Sequence, residues 1–253
     1  MKYDWQWSIF LQPAADGSGT WLHFLLGGLV WTMLTALAAW VLALSVGSVI
    51  GTLRTTPMKW VVRFCNGYVE IFRNIPLLVQ MFLWFFVVPE LLPVQLGTAI
   101  KQMPPPWSSY LPAVLCLGIY TSVRVAEQVK AGIQSLPRGQ MMAGTAIGLS
   151  LPQTYRFVLL PMAFRIVMPP LTSEFLNIIK NSSVALTIGL LELTGRARAM
   201  QEFSFKVFEA FSAATVIYLI TNLVIVLLMR VLENKLRVPG FISSASQTPM
   251  PGH

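Results

Sequence analysis

The chain has 253 residues, of which 55% are hydrophobic and 11% charged, whereas roughly a quarter of an ordinary soluble domain is charged. That balance argues against a soluble enzyme. The net charge of +8 does not point to nucleic acid either, because the basic residues lie between apolar segments, as membrane orientation places them, and not on one basic face.

The charged residues leave three uncharged windows, Gly17–Leu53, Gln102–Val123 and Ala210–Met229. Each is long enough for the roughly 18–20 residues that cross a hydrocarbon core. The fold class expected is an all-α polytopic membrane protein with about five transmembrane helices.

In chain order, residues 1–20 form an extracytoplasmic segment. It opens MKYDWQWSIF, one basic residue followed at once by an acid and tryptophans, which is not the layout of a cleavable signal peptide. The first span is Trp21–Leu53. The second, about Phe64–Val88, contains Glu70 and Arg73, one turn apart and read as an internal ion pair that holds the span in place. Pro89, Pro93 and Pro104-Pro105-Pro106 mark the outer connection. The third span is about Tyr110–Val129. The fourth, about Ile166–Leu191, carries a polar stripe of Glu174, Asn177 and Asn181 beside Lys180, with Ser182 and Ser183 following. Such a stripe faces protein or water, lining a route or hydrogen bonding within the bundle. The fifth span is about Phe211–Leu232, so the membrane domain covers 21–233. A tail, 234–253, follows and reads as disordered after Pro239.

Eleven of the 18 Lys and Arg lie at Arg54–Arg63, Arg124–Arg165 and the tail from Arg230, and five on the opposite set of connections. The amino end is therefore expected outside and the carboxyl end in the cytoplasm. Trp5, Trp7, Trp21, Trp31, Trp60 and Trp107 mostly fall near interfaces and are assigned to anchoring. Cys65 and Cys116 suggest neither a disulfide nor a metal site, and His23 and His253 have no companion ligand spacing.

The longest cytoplasmic connection, 132–161, departs from its apolar surroundings. Met141–Ile147 fits a short helix, Gly148 a left-handed cap and Pro152 the opening of the next turn. Its MAGTAIGLSLPQTYRFVLLP, Met142 to Pro161, resembles the signature loop of binding-protein-dependent ABC importer permeases: E-A-A, three residues, G, nine residues, I, one residue, L-P. Ala143, Gly148, Leu160 and Pro161 match. Met142 replaces the acid, Gly144 the second alanine and Val158 the isoleucine. YVEIFRNIPLLVQ at Tyr68–Gln80, VAEQVKAGIQSLPRGQ at Val125–Gln140 and the segment Pro169–Leu193 resemble the permeases for polar amino acids. The likeness runs from about Trp21 to Pro239, and DWQWSIFLQ, VVPELLP and LENKLRVPG draw it toward the glutamate/aspartate branch.

The resemblance implies a type I ABC importer permease fold in a bacterial inner membrane. It implies a loop of Met142, Ala143, Gly144, Gly148, Leu149, Ser150, Pro152, Leu160 and Pro161 that docks on an ATPase subunit dimer. It also implies an extracytoplasmic amino-acid-binding protein. The missing acid at Met142 fits a heterodimer whose second permease subunit retains it. ATP and Mg would be held by the partner ATPase: this chain has no G-x-x-x-x-G-K-[ST] run, and it shows no nucleophile elbow or H-E-x-x-H helix. The chain itself is not expected to be an enzyme, nor to hold a cofactor or metal.

An acidic amino acid crossing a dry constriction needs compensating positive charge. Arg73, Arg124 and Lys180 are the candidates, and Arg124 stands where the resembling permeases commonly have an aromatic residue. It meets substrate, pairs with Glu127 or Gln128 one turn along, or marks the cytoplasmic end of the span. The path candidates are Arg124, Glu174, Asn177, Lys180, Asn181 and Ser182. An ion-coupled secondary carrier, using Glu70, Glu127 or Glu174 as its ion site, and a scaffold without transport are the competing readings.

Overall fold

A computed structural model of the chain describes residues 3–17 and 19–236. The tail expected after Pro239, with His253, lies outside the described residues. Among the described residues, a short 3-10 turn at Trp7–Leu11 is followed by ten helices: α1 (Trp21–Leu53), α2 (Lys59–Asn74), α3 (Leu77–Leu91), α4 (Val94–Lys101), α5 (Trp107–Gln134), α6 (Arg138–Ala146), α7 (Leu151–Thr154), α8 (Leu160–Asn181), α9 (Leu193–Ser204) and α10 (Val207–Leu236). Among the described residues no strand forms.

α1 and α5 make the central crossing. Small residues Ala36, Ala39, Ala43, Gly47 and Gly51 recur every three or four positions on α1, and all are buried. They let the α5 backbone come so close that a Cβ on Gly47 would lie 2.6 Å from the Ser122 carbonyl oxygen, and one on Gly51 2.7 Å from that of Ala126. This is how helices associate where lipid removes the hydrophobic drive. Leu26, Val30, Leu37 and Val41 on the other face of α1 stay exposed, as lipid-facing residues should. The most apolar window of α5 is 61% buried and that of α10 11%, so α5 is the hub and α10 the rim.

The second span is not the single crossing expected over Phe64–Val88. It begins earlier, at Lys59, and breaks at Ile75-Pro76, where the axes of α2 and α3 diverge by 102°. Pro76 has no N–H to give, and the residue before a proline is driven out of the helical region; Ile75 accordingly has φ −97° and ψ 125°. The buried Gln80 side chain mends the break, its Nε2 donating to the carbonyls of Phe72 at 2.9 Å and Ile75 at 3.0 Å. α3 also contains a π-helical turn at Leu83–Val87.

The fourth span ends short of Leu191. α8 stops at Asn181 and tightens into a 3-10 turn, Ser182–Ile188, closed by Gly189 at φ +85°. Ser182, Ser183 and Thr187 each bond back to a carbonyl three residues earlier, at 2.8, 2.7 and 2.7 Å, which competes with continued helix. Three helices are long and apolar enough to span, four if the bent pair counts as one crossing; α8, with Pro169 and Pro170 inside it, brings the bundle to about five.

Candidate functional site

α2, α5 and α8 enclose a cleft of about 480 Å³ lined by Phe72, Arg73, Tyr120, Val123, Arg124, Glu127, Gln128 and Glu174. α2 delivers Arg73 in its last turn, just before the Pro76 break. α5 places Tyr120 and Arg124 one turn apart, and the Arg124 Nη2 donates to the Tyr120 hydroxyl at 3.2 Å with its guanidinium carbon 5.4 Å from the ring centroid. From α8 comes Glu174, whose Oε2 lies 3.8 Å from Arg124 Nη1 and accepts from Asn177 Nδ2 at 3.5 Å. Glu174 is 11% exposed and Arg124 48%, so the carboxylate forms the floor of the cleft and the guanidinium its rim.

Arg124 does not pair with Glu127. That carboxylate turns toward α1, where Arg54 Nη1 reaches it at 2.9 Å while Arg54 Nε donates to Asn66 Oδ1 at 2.8 Å. Two arginines, Arg73 and Arg124, therefore face one otherwise uncommitted carboxylate, Glu174. The cleft carries a surplus positive charge and hydroxyl and amide groups, which suits a carboxylate-bearing solute.

Glu70 and Arg73 form no ion pair, contrary to the sequence expectation. Side chains three apart on a helix diverge by about 60°, and here Arg73 faces the cleft while Glu70 lines a separate recess with Arg54, Lys59 and Arg63. Of the polar stripe, Glu174 alone reaches the cleft wall, with Asn177 bonded behind it. Lys180 is exposed and Asn181 partly buried, both away from that wall. The buried Ser182 hydroxyl closes α8 through the Ile179 carbonyl, so it is part of the helix end.

The loop between α5 and α8 is a helical hairpin. α6 starts at Arg138, earlier than the expected Met141, and ends at Ala146. Gly148 has φ +85°, which an L side chain adopts only with strain. Its N–H reaches the Thr145 carbonyl at 3.0 Å and the Leu149 N–H that of Gly144 at 3.1 Å, closing the helix end. Ser150 and Gln153 form a capping box that opens α7, with Pro152 in its first turn. A Cβ on Gly144 would lie 2.8 Å from Thr154 Cγ2, so the missing side chain lets the two arms close. Met142 and Ile147 are 67% and 77% exposed, giving the hairpin an apolar outer face. Through a π-helical turn at Tyr155–Leu159 the hairpin runs into α8, which Leu160 and Pro161 begin. The Tyr155 hydroxyl donates to the Thr55 carbonyl at 2.8 Å, tying the hairpin to the end of α1.

Sequence reasoning missed Glu192. It is fully buried at the start of α9 and accepts from the hydroxyls of Tyr218 at 2.9 Å and Thr32 at 3.3 Å and from the N–H groups of Thr194 at 3.0 Å and Gly195 at 2.7 Å. One carboxylate thus pins α1, α9 and α10 together. Among the described residues no group of three His, Cys, Asp or Glu side chains could hold a metal ion.

The same fold recurs in known proteins. The glutamate/aspartate import permease protein GltJ of Escherichia coli (strain K12) is 46% identical over 241 residues, 95% of this chain and 98% of that protein. The nopaline transport system permease protein NocM of Agrobacterium fabrum is 30% identical over 88% of this chain and 95% of its own length. A solved amino acid ABC transporter with histidines superposes with TM-score 0.70 at 26% identity, covering 85% of this chain and 95% of that one. The fold alone is shared with the MetNI methionine ABC transporter in inward-facing form, at TM-score 0.65 and 20% identity over 83% and 93% of the two chains. Residues 43–238 match the family described as binding-protein-dependent transport system inner membrane component. The chain belongs to that family, and it is a multi-pass permease subunit of an amino-acid ABC importer.

Proposed function

We propose that this subunit passes acidic amino acids, glutamate and aspartate, inward across the membrane by alternating access. An ATPase dimer supplies the energy and an extracytoplasmic binding protein the substrate. The observation that carries the substrate class is the cleft in which Arg73 and Arg124 face a single carboxylate, Glu174, once Glu127 is paired with Arg54. The identity to a glutamate/aspartate import permease supports it. A negatively charged solute displaces Glu174 from Arg124 and gains a bidentate partner, whereas a neutral amide gains much less.

The basic residues around Arg54–Arg63 and along 124–165 orient the hairpin and α1 end to the cytoplasm and the amino end to the opposite side. The apolar outer face of the hairpin, with Met142 on α6 and Ile147 just after it, is the part that docks on the ATPase. ATP and Mg are bound by that partner. The rigid α6–Gly148–α7 hairpin, continuous with α8 and bonded to Thr55, moves the elements that carry Arg124 and Glu174. A second permease subunit that keeps the acid missing at Met142 completes a heterodimer.

The test is labelled glutamate uptake into proteoliposomes holding this chain, its partner permease, the ATPase and the binding protein, with and without internal ATP, in wild type and Gly148→Arg. Uptake that needs ATP, and is lost in the variant while the complex still assembles, supports the reading. Glutamate uptake indifferent to ATP and to Gly148 would contradict the proposed coupling, and ATP-dependent uptake of a neutral amino acid with none of glutamate would contradict the proposed substrate.

A further inference from the structure

Two stripes run side by side along α2. Trp60, Phe64 and Ile71 recur at helical spacing on one line and are 81%, 80% and 60% exposed. Next to them, Lys59 and Arg63 open onto a recess of about 690 Å³ that also touches Arg54, Asn66 and Glu70. The recess sits where the long apolar helix α1 stops, since Arg54 directly follows its last residue, Leu53. Whichever face of the membrane that is, it is the level of lipid headgroups.

The charges there are not equivalent. Arg54 is tied to Glu127 and Asn66. Glu70 lies two turns beyond Arg63, roughly 10 Å along the helix axis. Lys59 and Arg63 make no ion pair among the described residues, and the Arg63 guanidinium rests 5.5 Å from the Trp60 ring centroid. A helix that joins an unneutralised cationic edge to an aromatic and aliphatic edge matches an amphiphile, with an anionic head on one stripe and hydrocarbon on the other.

We propose that α2 carries a binding site for an anionic phospholipid, its phosphate held between Lys59 and Arg63 and its acyl chains lying along Trp60, Phe64 and Ile71. Arginine stacked on an aromatic ring keeps its outward N–H groups aligned for phosphate oxygens. With its head at Lys59 and Arg63 and its chains reaching toward Ile71, the lipid steadies the helix that carries Arg73 to the cleft.

The test is photolabelling of the full-length chain in nanodiscs of mixed phosphatidylglycerol and phosphatidylcholine, with a photoreactive acyl chain on one lipid and then on the other. The peptide Lys59–Asn74 should be labelled several-fold more by phosphatidylglycerol. Lys59→Gln with Arg63→Gln should remove the preference, while Lys59→Arg with Arg63→Lys should keep it. Equal labelling by the two lipids overturns the proposal. So does loss of the preference on adding excess glycerol 3-phosphate, which would make the ligand a free phosphate ester. A Phe64→Cys variant that cross-links to the second permease in the assembled transporter, with lipid labelling abolished, overturns it too, because the stripe is then a protein interface. Should the Gln variant not insert, the wild-type lipid comparison and the glycerol 3-phosphate arm decide.

Discussion

Arg124 on α5 and Glu174 on α8 face each other across the cleft at 3.8 Å, the guanidinium half exposed and the carboxylate nearly buried. The carboxylate occupies the cation that an incoming acidic solute needs. Glu174→Gln should therefore strengthen retention of labelled glutamate by the detergent-solubilised transporter without its binding protein, on the order of tenfold, the equivalent of about 1.4 kcal/mol. The gain should shrink at high salt, because Arg124 is partly screened by water.

Arg54, just after α1, and Glu127 of α5 form a part-buried ion pair at 2.9 Å. The Arg54 side chain is 7% exposed and that of Glu127 38%. Glu127→Gln keeps an amide oxygen for Arg54 but removes the counter-charge of a buried cation. Because Glu127 is partly wet, the expected loss is about 1–2 kcal/mol, below the roughly 3–5 of a fully buried pair. Thermal unfolding in detergent reads it, and an unchanged midpoint would deny the pair a structural role.

The α1–α5 crossing tolerates no side chain at Gly47, where a Cβ meets the Ser122 carbonyl and Val125. Gly47→Val forces the two backbones apart and should destabilise the bundle by about 1–3 kcal/mol, seen as aggregation in mild detergent. Gly67→Val, where nothing lies within 4 Å, is the control that should leave the fold intact.

Gly148 has open space around it, so strain and not collision limits a replacement. Gly148→Ala should cost about 1–2 kcal/mol locally and lower the ratio of glutamate moved to ATP hydrolysed, with the complex still assembled. An unchanged ratio would separate the left-handed turn from coupling.

The amino-terminal segment is fastened to α10 by Tyr3, whose hydroxyl donates to Glu209 Oε2 at 2.5 Å. That bond to a carboxylate pushes the Tyr3 pKa from 10 up to about 12. A value raised on folding means that, with Glu209 ionised, the contact holds from neutral pH up to about 10 and is lost as pH rises through about 12. The stacked indoles of Trp5 and Trp7, 5.0 Å apart, should report its release as a fluorescence change in that window and not between neutral pH and pH 10.

What the sequence made legible follows from which signals are local. α1 ends where its uncharged run ends, at Leu53, and the hairpin was readable because Gly148 and Pro152 act on their own neighbours. The α2–α3 break was signalled by Ile75-Pro76, but apolar residues on both sides made one crossing the simpler reading, and the mending role of Gln80 depends on a bend that composition does not contain. Ser182 and Ser183 looked like donors for a route, yet their hydroxyls end the helix. Arg124 and Glu174 stand fifty residues apart, so their meeting depends on how α5 and α8 pack. Glu192 stood between leucines with nothing in sequence to show that Thr32 and Tyr218 would converge on it.

The central claim, that an arginine-rich cleft selects acidic amino acids for ATP-driven import, is tested most directly by initial rates in ATP-loaded proteoliposomes of the full transporter. Labelled glutamate and glutamine would be compared in wild type and in Arg124→Gln. The account predicts that wild type prefers glutamate and that the variant loses about tenfold or more of glutamate uptake while glutamine uptake holds or rises. Equal loss of both substrates, or an unchanged preference, would contradict it.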